Sequence, residues 1–409
     1  MCPSIRQIPL GPTHDASFTA LHVLLDLLIP DYGKHRPTES KVNMTSELPL
    51  ASLDREELAE LRLTVRTAAT ESGYPERVRE LEDRSQDPGL DRELWALLAD
   101  EIGLAAVGLP EVVGGLGGLA EILAVTEELG ATLAPVPFLA STVICGQILA
   151  AAGDAGLPYL ERIAAGEIAA PAITDSRGRF TEAGVACTSD GTTISGHVRF
   201  VPYGASAAFF VVAARTSAGI DLFVIEASHA RTQVLRSLDF SRPSASIDFD
   251  DAMAVRLTEG GAGLASIERG LDIALLGVAA DQLGGAQYCF DMTLEYIKLR
   301  RQFNREIGSF QAIKHRMADA LIKVEMARAG LERTTWDHSD NMAADAAVCK
   351  AWGADAYNAL AAEAIQLHGG VGFTWEHDAH LYFRRARYDA AFLGDAAFHR
   401  ERVAALLTW

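Results

Sequence analysis

From Leu53 to about Ala165 the apolar residues recur in steps of three and four, as at Leu94, Leu97, Leu98 and Ile102, in a stretch rich in Ala, Leu and Glu that Pro110 interrupts. Such steps put side chains on one face of a helix, so the stretch predicts packed helices. Around Ala170 the period shortens to two. Ala245, Ile247 and Phe249 alternate with Ser246, Asp248 and Asp250, apolar runs span Phe209 to Val212 and Leu222 to Ile225, and Asp190-Gly191 and Ser195-Gly196 mark turns. Alternation of this kind predicts strands with one wet face, in a compact antiparallel β domain. Beyond Gly260-Gly261-Ala262-Gly263 helical spacing returns and persists. Leu276, Ala279, Leu283, Ala286, Phe290, Leu294 and Ile297 predict one long amphipathic helix, and Ile313, Met317, Leu321 and Val324 a second. Cys349, Trp352, Ala356 and Leu360 mark a third, and the stretch from about His380 to Leu407 supplies a fourth. Four such helices make a bundle. The expected division is an N-terminal all-α domain over 44–165, a middle antiparallel β domain over 166–258 and a C-terminal four-helix bundle over 259–409.

Residues 1–43 stand apart. Their apolar run from Leu21 to Ile29 is broken by His22 and Asp26, is too short to cross a bilayer, and has no clean cleavage site after it. Met44-Thr45-Ser46 reads as a natural start, so 1–43 are expected to form a poorly ordered extension. A chain of 409 residues with 49% hydrophobic content can bury sizeable cores. Lys plus Arg total 36 against 55 Asp plus Glu, a net charge of −19, which repels phosphates at long range and argues against nonspecific nucleic-acid binding. Arg384-Arg385-Ala386-Arg387 is a local basic exception, in which Arg384 and Arg387 read either as groups that meet phosphate or subunit carboxylates or as a solvated helix face. Cys2, Cys145, Cys187, Cys289 and Cys349 show no Cys-x-x-Cys spacing and cannot all pair, so reduced thiols in a cytoplasmic protein are the simplest account.

Two runs carry the chemistry. One is Leu299-Arg300-Arg301-Gln302-Phe303 followed by Gly308-Ser309-Phe310-Gln311; the other is Gln366-Leu367-His368-Gly369-Gly370-Val371-Gly372-Phe373. Both are polar or glycine-rich where a predicted helix ends. Arginine presents a planar fork of donors that matches phosphate oxygens, and adjacent glycines let backbone amides come close to an anion. The pattern suits a phosphorylated cofactor. Gly114-Gly115-Leu116-Gly117-Gly118 does not, because no strand precedes it and no βαβ unit surrounds it; it reads as a loop between helices. Glu376, His377, Asp378 and His380 have metal-like composition, but their spacing fits no common zinc pattern. They read as a helix start with Asp378 near the N-cap, and no metal is expected.

From about Leu50 to the C-terminus the sequence resembles the acyl-CoA dehydrogenase family of flavoproteins, most specifically in the two runs above together with Thr374-Trp375-Glu376-His377-Asp378-Ala379-His380-Leu381-Tyr382. The resemblance implies that family's fold, with the same order of helices, β domain and bundle. It also implies FAD as cofactor, an acyl-CoA substrate and an electron-accepting protein partner. In the family the Arg-x-x-Phe and Gln-x-x-Gly-Gly segments of one subunit clamp the ADP half of FAD bound mainly by its neighbour. By that resemblance Arg300, Gln302, Phe303, Gln311, Gln366, Gly369 and Gly370 are the cofactor-binding candidates.

The chain departs from the family where the chemistry is done. The usual proton-abstracting glutamate lies in a Tyr-Glu-Gly-Thr segment, and the matching stretch here is Phe392-Leu393-Gly394-Asp395. Leucine cannot accept a proton. The position used by a minority of members falls at or near Ala274, so the nearest acids are Asp272 and Asp395. Asp395 is the candidate base, weighed against service as an exposed loop or cap aspartate. The family's flavin-ring loop and Trp-Ile-Thr segment correspond to Thr174-Asp175-Ser176-Arg177-Gly178 and Phe200-Val201-Pro202-Tyr203-Gly204, where proline removes a hydroxyl and an amide donor. The nucleotide-gripping half is kept while the ring-binding half and the base are lost. One reading joins these facts: a partner subunit of a heterotetrameric actinobacterial acyl-CoA dehydrogenase acting on steroid side chains, with Arg300, Gln366 and Gly370 working in trans. The alternatives are a self-sufficient homo-oligomeric dehydrogenase using Asp395 and Tyr203, a flavin monooxygenase or oxidase, and a non-catalytic scaffold.

Overall fold

Helix α1 (Arg55–Glu71) begins where the Asp54 carboxylate accepts the amides of Glu56 and Glu57 while the Glu57 carboxylate accepts the Asp54 amide. This reciprocal cap satisfies donors that a helix start leaves orphaned. The computed structural model describes residues 48–81, 89–336 and 341–407, so the expectation for 1–43 lies outside the described residues. After α1 come α2 (Arg92–Ala96), α3 (Leu119–Thr132), α4 (Gly146–Ala151) and α5 (Leu157–Ala164). The Gly114–Gly118 cluster is the loop that leads into α3, with Gly118 at the helix start and its amide bonded to the Glu121 carboxylate at 2.7 Å.

The middle region is one curled sheet of eight strands: β1 (Ala169–Ala172), β2 (Cys187–Ser189), β3 (Thr193–Pro202), β4 (Phe209–Thr216), β5 (Gly219–Glu226), β6 (Arg231–Leu235), β7 (Ser244–Met253) and β8 (Val255–Arg256). Its order is β6-β7-β3-β2-β4-β5-β8, with β1 beside β4. The expected antiparallel pairing holds for β3/β7, β4/β5, β5/β8 and β6/β7. It fails at β4, whose partners β1 and β2 run parallel to it. Neither reaches β4 by a tight turn, so the connecting chain is long enough to return in the same direction. Ala245, Ile247 and Phe249 face the buried interior, as alternation predicts. On the other face His197 bridges Asp248 and Ser246 at 2.6 and 3.1 Å, tying β3 to β7.

The C-terminal helices are α6 (Gly263–Leu299), α7 (Gln311–Trp336), α8 (Met342–His368), α9 (Ala379–Ala391) and α10 (Ala396–Leu406), with a small hairpin of β9 (Arg301–Gln302) and β10 (Arg305–Glu306) between α6 and α7. The expected fourth helix is therefore two. Leu393 and Gly394 take φ +56° and +112°, and Asp395 caps α10 through the Phe398 amide at 2.8 Å. The predicted stripe of α6 is buried at Leu276, Ala279, Leu283 and Ala286, but Leu321 of α7 is exposed beside Ile322 because that side of α7 has no partner element in the single chain. Helix α3 docks on α6 almost backbone to backbone: a Cβ on Gly284 would fall 1.9 Å from the Glu127 carbonyl oxygen. Among the described residues no helix is long and apolar enough to cross a membrane.

The interior between sheet and bundle holds an ionic network that the sequence reading missed. Arg385, 1% exposed, donates to the Asp239 carboxylate, to Ser241 Oγ at 2.6 Å and to Asp281 at 3.2 Å, while Arg242 reaches Asp281 at 2.6 Å. Burial favours a neutral Asp281, but Arg242 and Arg385 outweigh it and hold its carboxyl below the usual range. Nearby Asp389 goes the other way, pushed well up by burial and then by Asp281. In the Arg384–Arg387 run only the outer arginines match the expected solvated face; Arg384 lies over Phe240 and Arg387 over Phe383.

Candidate functional site

Helices α6, α7 and α8 alternate in direction, so the end of α6, the start of α7 and the end of α8 lie at one end of the bundle. Tyr296, in the last turn of α6, stacks on His368 with ring centroids 4.2 Å apart and donates to the His368 carbonyl at 3.5 Å. Arg316 of α7 pairs with Glu363 of α8 at 2.6 Å. Together these contacts bring both sequence runs to the same place, and with them every cofactor-binding candidate.

Their surroundings differ. Arg301 is occupied within the hairpin, paired with Glu306 at 3.1 Å and donating to the Asn304 carbonyl at 3.0 Å. Arg300 is exposed, and its guanidinium has no partner among the described residues. Gln302 and Gln366 are exposed, whereas Gln311 contacts His315 at 3.1 Å. Phe303 and Asn304 form the tip of the hairpin at φ +52° and +63°, and the Phe303 side chain is 87% exposed. Its ring meets the edge of Phe310, itself covered by the Arg305 guanidinium at 3.8 Å. A recess of about 400 Å³ opens at the hairpin's root between Ile297, Lys298, Glu306, Gly308, Lys314 and Met317. Lys298, Arg300, Arg301, Arg305, Lys314 and Arg316 make this the basic end of an acidic chain.

The glycine pair is the most telling feature. Gly369 takes φ +61° and ψ −136°, a backbone region that side chains other than hydrogen rarely enter. Gly370 has no such need, yet a Cβ on either residue would meet nothing within 4 Å. Gly284 is required by a neighbouring carbonyl; nothing among the described residues requires Gly370. A bare backbone facing open space suits close approach by something outside the chain.

The ring-binding half is closed on itself. Thr174 Oγ1 donates to the Arg199 carbonyl at 3.0 Å, and Asp175 is taken up by the Arg177 and Arg179 amides at 2.8 and 3.0 Å. Tyr203, the proposed substitute flavin contact, is 2% exposed and donates to the Ser241 carbonyl at 3.3 Å, so its hydroxyl is not free. At the base position the buried Leu393 donates its amide to the Gly178 carbonyl at 3.1 Å, joining the two loops that would have to part around a substrate. Asp395 is exposed and its carboxylate serves the α10 cap. Asp272 is paired with Arg402 at 2.6 Å, and Ala274 is buried. Beneath the loop, the fully buried Lys350 donates to the carbonyls of Asp389 and Gly394 at 2.9 and 3.0 Å, and burial pushes its ammonium down to about 8. Among the described residues no group of His, Cys, Asp and Glu is placed to hold a metal. Asp378 does sit at the start of α9, but the helix amide of Ala379 is accepted by His377 Nδ1 instead, and the Asp378 carboxylate pairs with Arg79.

The residues present thus fit the nucleotide half of FAD and do not fit its ring. Comparison with known proteins gives the same family from both ends of the chain. Residues 55–167 match the acyl-CoA dehydrogenase N-terminal domain and residues 261–408 the acyl-CoA dehydrogenase C-terminal domain. Acyl-CoA dehydrogenase IpdE2 of Mycobacterium tuberculosis is 35% identical over 342 residues, which is 83% of this chain and 93% of that protein. The crystal structure of the ChsE4-ChsE5 complex from Mycobacterium tuberculosis matches with a TM-score of 0.77 at 29% identity, covering 87% of this chain and 99% of the matched one. The Tcur3481-Tcur3483 steroid ACAD matches with a TM-score of 0.76 at 28% identity, over 86% and 98%. At that identity and coverage, the chain belongs to the acyl-CoA dehydrogenase family.

Proposed function

We propose that this chain is one subunit of an FAD-dependent acyl-CoA dehydrogenase, and that it holds the ADP half of a cofactor whose ring lies in a second, homologous subunit. The observation that carries the reading is Gly370, which nothing within 4 Å among the described residues requires to be glycine, at the same basic end of the bundle as Arg300, whose guanidinium has no partner among the described residues. Arg300 offers its donor fork to phosphate, Gly369 and Gly370 admit the nucleotide to backbone contact, and the exposed Phe303 gives an apolar face beside it. FAD held there would supply the hydride-accepting chemistry for desaturating an acyl-CoA. The proton-abstracting carboxylate comes from the other subunit, since Leu393 stands at that position here and Asp395 is engaged as a cap.

Two further observations support a partner. Leu321 and Ile322, adjacent on α7, are both exposed, which suits burial of that side of α7 against another subunit. The matched ChsE4-ChsE5 structure is a complex of two proteins, and Tcur3481-Tcur3483 is a steroid ACAD, which supports a bulky steroid-derived acyl-CoA as substrate. An electron-accepting protein then reoxidises the assembly.

Flavin content tests the reading. The chain purified alone should lack a flavin absorption band and should acquire one on co-expression with a glutamate-bearing dehydrogenase subunit. Arg300→Ala should lower flavin retention in that assembly while leaving the melting temperature of the chain unchanged, because a phosphate contact is lost and no core is removed. A flavin band in the chain alone, bleached by acyl-CoA without oxygen, would overturn it.

A further inference from the structure

The glycine turn is held from an unexpected side. Between His368 and Asp378 the chain makes a short turn, Gly369–Phe373, and then leads into α9. Its near end is fixed by α8 and by the stack of His368 on Tyr296, and its members Val371 and Phe373 are exposed. The far end is held locally by His380, whose Nε2 lies 3.0 Å from the Trp375 carbonyl, and from a distance by Arg79, which lies in the N-terminal helical region, 296 positions away from Trp375. Arg79 Nε donates to the Trp375 carbonyl at 2.7 Å, and Nη2 donates to the Glu376 carbonyl at 2.9 Å and to Asp378 Oδ1 at 2.5 Å. Both Arg79 and Asp378 side chains are largely buried. A guanidinium meets two successive carbonyls and a carboxylate with donors spread over separate nitrogens in one rigid plane; an ammonium offers its donors from a single nitrogen and matches that spread less well.

We propose that Arg79 is a positioning residue for the nucleotide grip, setting the attitude of the Gly369–Gly370 backbone by clamping the far end of its turn. The glycines themselves have no side-chain packing to hold them, so the turn takes its orientation from its two ends and from the buried Gly372. This clamp also makes the N-terminal helical region a direct mechanical partner of the cofactor site. The inference rests on the nucleotide-gripping role proposed above.

The test compares Arg79→Met, Arg79→Lys and Gly370→Val in the flavin-loaded assembly that the full chain forms, with itself or with a second subunit. FAD release after dilution is followed well below the unfolding temperature, and melting temperatures are recorded in parallel. Arg79→Met should release FAD about tenfold faster or more. Arg79→Lys keeps the charge pair with Asp378 but, with all its donors on one nitrogen, holds the two successive carbonyls less well, so it should recover much of the melting temperature while release stays fast. A purely structural arginine would have both recover together, and that result, or unchanged release in Arg79→Met, overturns the proposal. Gly370→Val separates the two levels: if it retains FAD as the unmodified chain does, the nucleotide grip itself is wrong, whereas fast release there with normal release in Arg79→Met removes only the role of Arg79.

Discussion

Phe303 holds a bulky side chain at φ +52° with 87% of its surface exposed. The left-handed region costs a residue with a Cβ about 1–2 kcal/mol, and the exposed ring recovers little of that by burial. Asn304, beside it at φ +63°, is of a type that tolerates the region far better. Strain with no internal return marks a side chain presented to something outside the chain. Phe303→Gly should therefore leave thermal stability unchanged or raise it by up to about 1 kcal/mol, while FAD retention in the assembly falls. A drop in melting temperature with flavin unaffected would assign Phe303 to packing against Phe310. The identity of this residue was readable in the Arg-x-x-Phe run; its strain belongs to the backbone of the hairpin and left no mark in the sequence.

Among the elements, the break between α9 and α10 carries a pH-dependent contribution to stability. His399 of α10 contacts the Leu393 carbonyl at 3.1 Å through Nε2, and since a carbonyl only accepts, that nitrogen carries the proton. Burial first, and then Lys350 and Arg402, push the imidazole down to about 3. The unfolded chain takes up a proton near pH 6.5, the folded chain only near 3, so the contribution is present above pH 6.5 and is lost as pH falls toward 3. Urea denaturation across that window should show stability declining with acid, and His399→Gln should flatten the decline. An equal slope in the variant would move the effect to other groups. Helix α9 also explains a missed residue: Leu381, Tyr382, Arg385, Ala386 and Asp389 form its buried face. Their spacing was in the sequence all along, with two charged residues at core positions, but the run of neighbouring arginines read as a surface.

At the scale of the whole molecule, the loop at Leu393 and the loop at Gly178 are joined directly. The Leu393 amide is bonded to Gly178, Pro202 offers no donor and the Tyr203 hydroxyl is tied to Ser241. Restoring the carboxylate alone should therefore not restore chemistry. Leu393→Glu, purified without a partner, should show neither bound flavin nor bleaching by acyl-CoA under anaerobic conditions. Bleaching in that variant would mean that the ring-binding half is intact and only the base was missing.

Helical periodicity by itself determined the order of helices, sheet and bundle, because the 3.6 and 2.0 repeats of apolar residues report which face of each element is buried. Local runs likewise named the nucleotide-gripping candidates, since arginine forks and paired glycines carry their chemistry in the residue type. Tertiary structure decided what neighbours alone could decide. It ran β1 and β2 parallel to β4, split the last helix at Leu393, buried Arg385 among carboxylates and brought Arg79 to the glycine turn. Each of these depends on contacts between residues far apart in the chain, and periodicity or a short motif holds no information about which distant segment will arrive.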